Sequence, residues 1–372
     1  MATKVVDRAD LGNLLDALRA EGFSVLGPTV RDKTITYGPL TSIEDLPIGW
    51  TDEQEAGTYR LVRRDDDALF GYVVGPNSWK RFLFPPRSTL LNIERRDGSL
   101  VATAPDAPSQ AYAFIGVRPC EMAAIGIQDV VFLRSGHTDR TYADRRRGLF
   151  TVGVNCAVAG GTCFCVSMET GPRCGAGFDL SLTEVIDGDD HHFVFESGSE
   201  HGAEILAQLP GRDATVADLE QVDAIVANTA AHMGRQLDTT GLREALAASH
   251  DSPHWDVVAD RCLTCTNCTL VCPTCFCSTV EDDSSLDGSV ASRNRRWDSC
   301  FTLDFSALHG SPVRSSTKSR YRQWMTHKLS SWFDQFESSG CVGCGRCITW
   351  CPVAIDLTKE ADAVRSPEKA SA

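Results

Sequence analysis

The sequence predicts an α+β (or α/β) N-terminal domain with a mixed sheet, residues 1–245, followed by a mainly helical domain, residues 246–372. Three observations carry this. Short apolar runs separated by turn residues fill the first half. Two of them, YAFIGV and LFTVGV, are continuous, as in strands covered on both faces. Helical periodicity dominates from about residue 199, through ILAQL, DLEQVDAIVANTAAHMGRQL and LREALAASH. Two copies of one cysteine string then mark the second domain.

The charged start of the chain reads as helical. Residues 8–20 place Leu11, Leu14, Leu15 and Leu18 on one face, with Asp7 or Asp10 as N-cap and Gly22 as the stop. Phe23–Leu26, Thr34–Tyr37, Tyr59–Arg63, Leu69–Val74 and Leu90–Arg95 read as strands of the mixed sheet. The acidic residues 41–57 read as a surface loop, and WKRFLFPPRSTLL (79–91) as a loop that buries its Phe side chains. Residues 112–133 give a buried strand, then Arg118-Pro119-Cys120, then a helix. LFTVGVNC (149–156) is a second buried strand, followed by a loop carrying Cys156, Cys163, Cys165 and Cys174. Loops at the carboxyl ends of such strands are where α/β sheets bind ligands or partners. Residues 178–187 and 191–197 read as a hairpin around Gly188-Asp189-Asp190. Farther on, 280–292 reads as a polar loop, Arg314 to Phe336 as a basic helical stretch, and the tail after Leu357 as frayed.

The cysteine strings carry the chemistry. CLTCTNCTLVCP holds Cys262, Cys265, Cys268 and Cys272, and CVGCGRCITWCP holds Cys341, Cys344, Cys347 and Cys351. Both obey C-x2-C-x2-C-x3-C-P. Three thiolates on a tight loop hold three corners of a cubane, and a fourth, one helical turn on, points toward a second. Zinc usually takes two C-x2-C pairs or adds His; here three Cys crowd together and no His is nearby. The pattern therefore predicts two [4Fe–4S] clusters in a dicluster ferredoxin-type domain. In the crossed arrangement one cluster takes Cys262, Cys265, Cys268 and Cys351, and the other Cys341, Cys344, Cys347 and Cys272. Arg346, inside the second string, is the residue expected to tune a cluster by its charge. The eight other cysteines stay open. Cys275, Cys277 and Cys300 read either as buried thiols or as a lining of the first cluster or a further site. Cys120, at a helix N-terminus, is expected to have a lowered pKa. With Cys156, Cys163, Cys165 and Cys174 it is either part of a further metal site or of a docking loop.

A net charge of −14 argues against binding nucleic acid by phosphate neutralisation. No signal peptide or membrane span is visible, and sixteen cysteines without export signals suit a reducing, cytoplasmic compartment. The chain has no G-x-G-x-x-G after a strand, P-loop, H-E-x-x-H or nucleophile elbow. No residue is therefore assigned a catalytic role, and any flavin or pyridine nucleotide is expected on another chain.

The paired strings, CPTCFC, RRWDSCF, RYRQWMTHKL, WKRFLFPP, GVRPCEMAAIGI and GVNCAVAGGTCFCVSMETGP together resemble the 4Fe–4S dicluster subunits of cytoplasmic oxidoreductases. The resemblance spans most of the chain. It is nearest to the β subunit of NAD(P)-linked cytoplasmic [NiFe] hydrogenases (sulfhydrogenases), with the A subunit of anaerobic sulfite reductase related to it. It implies an electron-transfer subunit relaying electrons through two [4Fe–4S] clusters. The expected partners are a subunit holding FAD and NAD(P)H, and hydrogenase small and large subunits holding the NiFe centre. The same role in an anaerobic sulfite reductase is the alternative. A scaffold with structural clusters, or catalysis at the N-terminal cysteine loop, are readings from other classes.

Overall fold

An eight-stranded mixed sheet frames the computed structural model, which describes residues 2–106 and 111–365. Its strands lie in the order Arg212–Asp213, Thr3–Asp7, Asp190–Ser197, Leu180–Asp187, Phe150–Val154, Tyr112–Val117, Ser24–Arg31, Thr34–Pro39. The three pairings among Leu180–Asp187, Phe150–Val154, Tyr112–Val117 and Ser24–Arg31 are parallel. The outer pairings are antiparallel. Alternate residues of one strand serve opposite cores. Ile115 packs with Leu14, Leu15, Leu18, Ile205 and Leu206 on one face, and Phe114 with Met122 and Ile125 on the other. Two covered faces are the reason these strands read as unbroken apolar runs.

Several expectations are corrected. The chain opens with the strand Thr3–Asp7, and the helix starts only at Gly12, after a 3-10 turn, with no side-chain cap from Asp7 or Asp10. Residues 41–57 hold the strand Trp50–Glu55, paired with Thr58–Arg63. WKRFLFPP forms a short helix, Lys80–Leu83, and the strand Arg87–Arg96 follows. The 280–292 loop is instead the hairpin Ser278–Ser284 and Val290–Trp297. Val290–Trp297 pairs with Arg87–Arg96, giving a second sheet of four strands built from both sides of residue 245.

Leu69–Val74 is apolar and buried but is not a strand. Its backbone is bonded by side chains in place of a ladder. Glu184 accepts from Leu69 N (2.6 Å) and Phe70 N (2.8 Å), Asp52 accepts from Val73 N (2.8 Å), and Arg118 Nη2 donates to Phe70 O (2.8 Å) and Tyr72 O (2.6 Å). An apolar run signals burial, whereas strand geometry needs a neighbouring strand as well.

The C-terminal part packs His254–Arg261, Thr317–Thr326 and Leu357–Arg365 around Trp255, Phe301, Tyr321, Trp324 and Met325. The residues after Leu357 do not fray up to Arg365: Leu357, Ala361 and Val364 are in this core. Residues 366–372 lie outside the described residues.

Glu184→Ala would leave two buried amides without an acceptor, each worth about 1–3 kcal/mol. The expected result is a fall in denaturant midpoint equivalent to about 2–5 kcal/mol, partly recovered in Glu184→Gln.

Candidate metal centre

Each cysteine string is a loop wound around its own sulfurs and closed by a short helix, Asn267–Leu270 or Arg346–Thr349. Two residues in each loop are left-handed: Thr264 (φ 50°) and Thr266 (φ 71°) in the first, Gly343 (φ 63°) and Gly345 (φ 73°) in the second. This winding turns backbone N–H groups toward sulfur. Thr264 N donates to Cys262 Sγ at 3.4 Å, Gly343 N to Cys341 Sγ at 3.5 Å and Ile355 N to Cys351 Sγ at 3.3 Å. Such donors stabilise negative charge on sulfur.

The two loops demand different residues because their surroundings differ. A Cβ on Gly343 would lie 2.6 Å from the carbonyl of Phe164, and one on Gly345 2.4 Å from Thr162 O. The N-terminal cysteine loop is pressed backbone to backbone against the second string: Phe164 N donates to Gly343 O (2.8 Å) and Thr170 Oγ1 to Val342 O (2.7 Å). The first string has its Thr264 and Thr266 partly exposed, so it accepts left-handed threonine.

The fourth cysteines are exchanged in space. Burial pushes the Cys268 thiol well up in pKa, and Cys262, Cys265, Cys351 and Cys272 add to it in that order. Burial does the same to Cys347, reinforced by Cys341, Cys344, Cys272 and Cys268. Thus Cys351 sits with the first string's three thiols and Cys272 with the second's. Asn267 Nδ2 donates to Trp350 O (3.2 Å) across the strings. Cys262, Cys265, Cys268 and Cys351, with Cys347 beside them, line an open-sided pocket walled by Phe301, Tyr321 and Trp324. Among the described residues no group of three or more His, Cys, Asp or Glu side chains is arranged to hold a single metal ion. Sulfurs spread around a larger space suit a cluster and not a zinc ion.

Two buried lysines complete the second group, and both escaped sequence reading. Lys328 is 3% exposed, and its Nζ donates to Cys272 Sγ (3.2 Å), Thr274 Oγ1 (3.1 Å) and Gly340 O (2.9 Å). It sits in a π-helical turn, His327–Ser331, inside the basic helical stretch, where one extra residue per turn re-aims a side chain. Lys80 Nζ donates to Cys272 O (2.8 Å) and Cys275 O (3.0 Å) and lies 4.0 Å from the Trp297 ring centroid. Among the described residues neither ammonium has a carboxylate partner within salt-bridge distance. The Cys275 thiol, then Lys328 and Lys80, pull Cys272 well below the usual thiol range against the effect of burial. Cys277 and Cys300 are likewise paired thiol to thiol close by.

Arg346 lies beside Cys344, but its charge is shared. It is 0% exposed, and Nη2 donates to Glu121 Oε1 (2.7 Å) and Asn77 O (2.9 Å), Nε to Gly75 O (2.8 Å). Cys120 is corrected: burial pushes its thiol well above the usual range, and neighbouring Cys344 and Cys165 push the same way, outweighing the helix N-terminus.

Comparison with known proteins agrees with this geometry. The 4Fe-4S dicluster domain family matches residues 261–355. The chain is 30% identical over 344 residues to sulfhydrogenase 2 subunit beta of Pyrococcus furiosus, covering 92% of each chain. No solved structure matches.

The contrast between the loops is testable by calorimetry on the loaded protein. Gly345→Thr is expected to destabilise by more than about 2 kcal/mol, through backbone collision and left-handed strain together, and Thr266→Gly to stay within about 1 kcal/mol. Removing the Lys328 charge should lower the reduction potential of the adjacent centre. A unit charge about 4 Å away at an effective dielectric constant of about 20 is worth about 4 kcal/mol, so Lys328→Met is expected to shift it down on the order of 100 mV in an EPR-monitored titration, with Lys328→Arg near the wild-type value.

Proposed function

We propose, from the premise that this chain belongs to the sulfhydrogenase β-subunit family, that it is a relay subunit and carries out no substrate chemistry of its own. Electrons pass through two [4Fe–4S] clusters between a subunit holding FAD and NAD(P)H and the small and large subunits of a [NiFe] hydrogenase. The first cluster is held by Cys262, Cys265, Cys268 and Cys351, the second by Cys341, Cys344, Cys347 and Cys272. The exchange of the fourth cysteines carries this reading: Cys272 lies among the thiols of the second string and Cys351 among those of the first.

When bound, the clusters supply one-electron storage at low potential. The chain's residues set where and how strongly. Exchange makes the two sites neighbours, separated by little more than Cys268 and Cys347, so the transfer distance is short. Phe301, Tyr321 and Trp324 keep water from the inner side of the first site. Cys265 and Leu263 are exposed, which leaves that site an open edge for exchange with a partner. Lys328 and the loop amides hold negative charge on the sulfurs of the second site. No helix among the described residues is long and apolar enough to cross a membrane.

Two measurements test the proposal. In the isolated, anaerobically loaded chain, low-potential donors should produce the EPR of two interacting reduced clusters. Cys351→Ala is expected to impair the first site and Cys272→Ala the second, opposite to the string each belongs to. Clusters that take up no electron would sink the relay. The native complex should contain nickel, flavin and more iron than two clusters need; a nickel-free complex with sirohaem would assign the subunit to a sulfite reductase.

A further inference from the structure

The N-terminal cysteines belong to two loops that emerge side by side. Cys120 follows the strand Tyr112–Val117 and Cys156 follows Phe150–Val154, and these strands pair in parallel, Ala113 opposite Phe150. Both cysteines therefore stand at the carboxyl edge of the sheet. The loop after Cys156 brings in Cys163 and Cys165. Phe164 between them is buried in the C-terminal core, while Cys165 packs with Cys120 and Cys344 in a separate cluster. Cys120, Cys156, Cys163 and Cys165 all line one cavity, with Arg118 and Cys344 also in its wall.

We propose that Cys120, Cys156, Cys163 and Cys165 hold a third iron–sulfur cluster, abutting the second of the pair. Three further observations carry this. First, Arg118 is 2% exposed, yet its Nε and Nη1 meet no oxygen acceptor; Nη2 donates to Phe70 O and Tyr72 O, and the guanidinium otherwise lies against the Cys156 sulfur. The nearby carboxylate of Glu184 is engaged by Leu69 N, Phe70 N and His191 Nε2, and forms no salt bridge with Arg118. A buried guanidinium with free donors at the wall of a cavity calls for an anion in it, and a cluster with four thiolate ligands is one. Inert thiols would leave the guanidinium only the Cys156 sulfur and the Tyr72 ring to face, neither of them an anion.

Second, the loop is clamped in place. Besides its contacts with Val342 and Gly343, Cys163 O accepts from Arg235 N (2.9 Å), Cys156 N donates to Pro172 O (3.0 Å), and Thr162 Oγ1 and Thr349 Oγ1 bond at 2.7 Å. Ligands fixed before binding cost little to order. Third, the alternatives fit poorly. All sixteen cysteines are free, and none of these thiols joins a group arranged for a single ion among the described residues. Cys174 is not a ligand: it does not line the cavity, and its Sγ lies 2.7 Å from where a Gly153 side chain would start.

The consequence for the relay rests on the proposed function. Cys344 is a ligand of the second cluster and part of the third site's wall, so the line of centres extends from the exposed Cys265, through the buried second site, to the carboxyl edge of the large sheet. An electron gained at the third centre is one lost by the second, with no bond or proton changed.

The test is a metal and sulfide count on the full chain, loaded anaerobically with ⁵⁷Fe, together with Mössbauer spectra and zinc analysis. If the third cluster is also a cubane, the wild type should hold about 12 Fe, against about 8 for two clusters. Cys163→Ser/Cys165→Ser is expected to lose roughly a third of the iron and sulfide and keep the EPR of the two string clusters. Cys174→Ser should keep the full complement, and a loss there would overturn the ligand set. Equal iron in wild type and double variant, or one zinc per chain in this site, would overturn the proposal, as would a wild-type count at the two-cluster level if the double variant failed to fold. A wild-type chain whose string clusters are absent or redox-silent would instead overturn the relay reading.

Discussion

The buried ion pair between Arg346 and Glu121 is the point on which the parts of this molecule meet. Both side chains are essentially inaccessible, and each is bonded further. Arg346 reaches the carbonyls of Gly75 and Asn77, and Glu121 accepts from Tyr37 at 2.5 Å. One guanidinium thereby fixes the second cysteine string against the edge strand of the large sheet (through Glu121 and Tyr37), the residues that follow Leu69–Val74, and the first turn of the helix that carries Cys120. Tyr37 passes the constraint on by stacking on Trp79, which stacks on Phe114 in the sheet. Breaking such a pair from one side strands a buried charge, so it behaves as a lock more than as a source of net stability. The N-terminal sheet and the second string are held together here by charge and shape, and the two strings touch each other through Asn267 Nδ2 and Trp350 O.

The dicluster domain is legible because its signal is local: seven consecutive residues contain three of the four cysteines in each string. The parallel strands were legible because both of their faces are covered. What failed was anything supplied from a distance. Leu69–Val74 has a strand's composition, but Glu184, Asp52 and Arg118 give it its hydrogen bonds. Residues 280–292 looked like a loop because both faces of that hairpin are polar. Its signal was in charge and not in apolar period. Glu281 faces Arg296 and Asp282 faces Arg293 across the hairpin, while Asp283 meets Arg87 on the far strand. An acidic triplet and a basic cluster separated by a glycine turn would have suggested the pairing.

Arg346 was singled out from its place in the string, and it does lie at Cys344. Its charge, however, is answered by Glu121. Burial raises the Cys344 thiol, and Arg346 still pulls it down; Lys328 and Lys80 stand beside Cys272 in the same way, and nothing in the sequence separates them from the solvated lysines and arginines around them. Lys328 is distinguished only by a π-turn, and Lys80 only by a short helix that lays its stem under Trp297. Cys120 shows the same limit in reverse: the helix start was read correctly, but desolvation decides the thiol.

The exchange of fourth cysteines also constrains how the protein is made. A ribosome releases the chain from its N-terminus, and domains generally fold as they emerge. The large sheet can form early, whereas the pocket at its carboxyl edge waits for Gly343 and Cys344 of the second string to complete its wall. The first string's three thiols emerge long before Cys351, and Cys272 waits for the whole second string. Until then both sets are open-sided thiol groups, exposed to oxidants and stray metal. With the proposed ligand sets, neither pair site can close during synthesis of the intervening segment, which places iron–sulfur delivery to them after the whole second string has emerged.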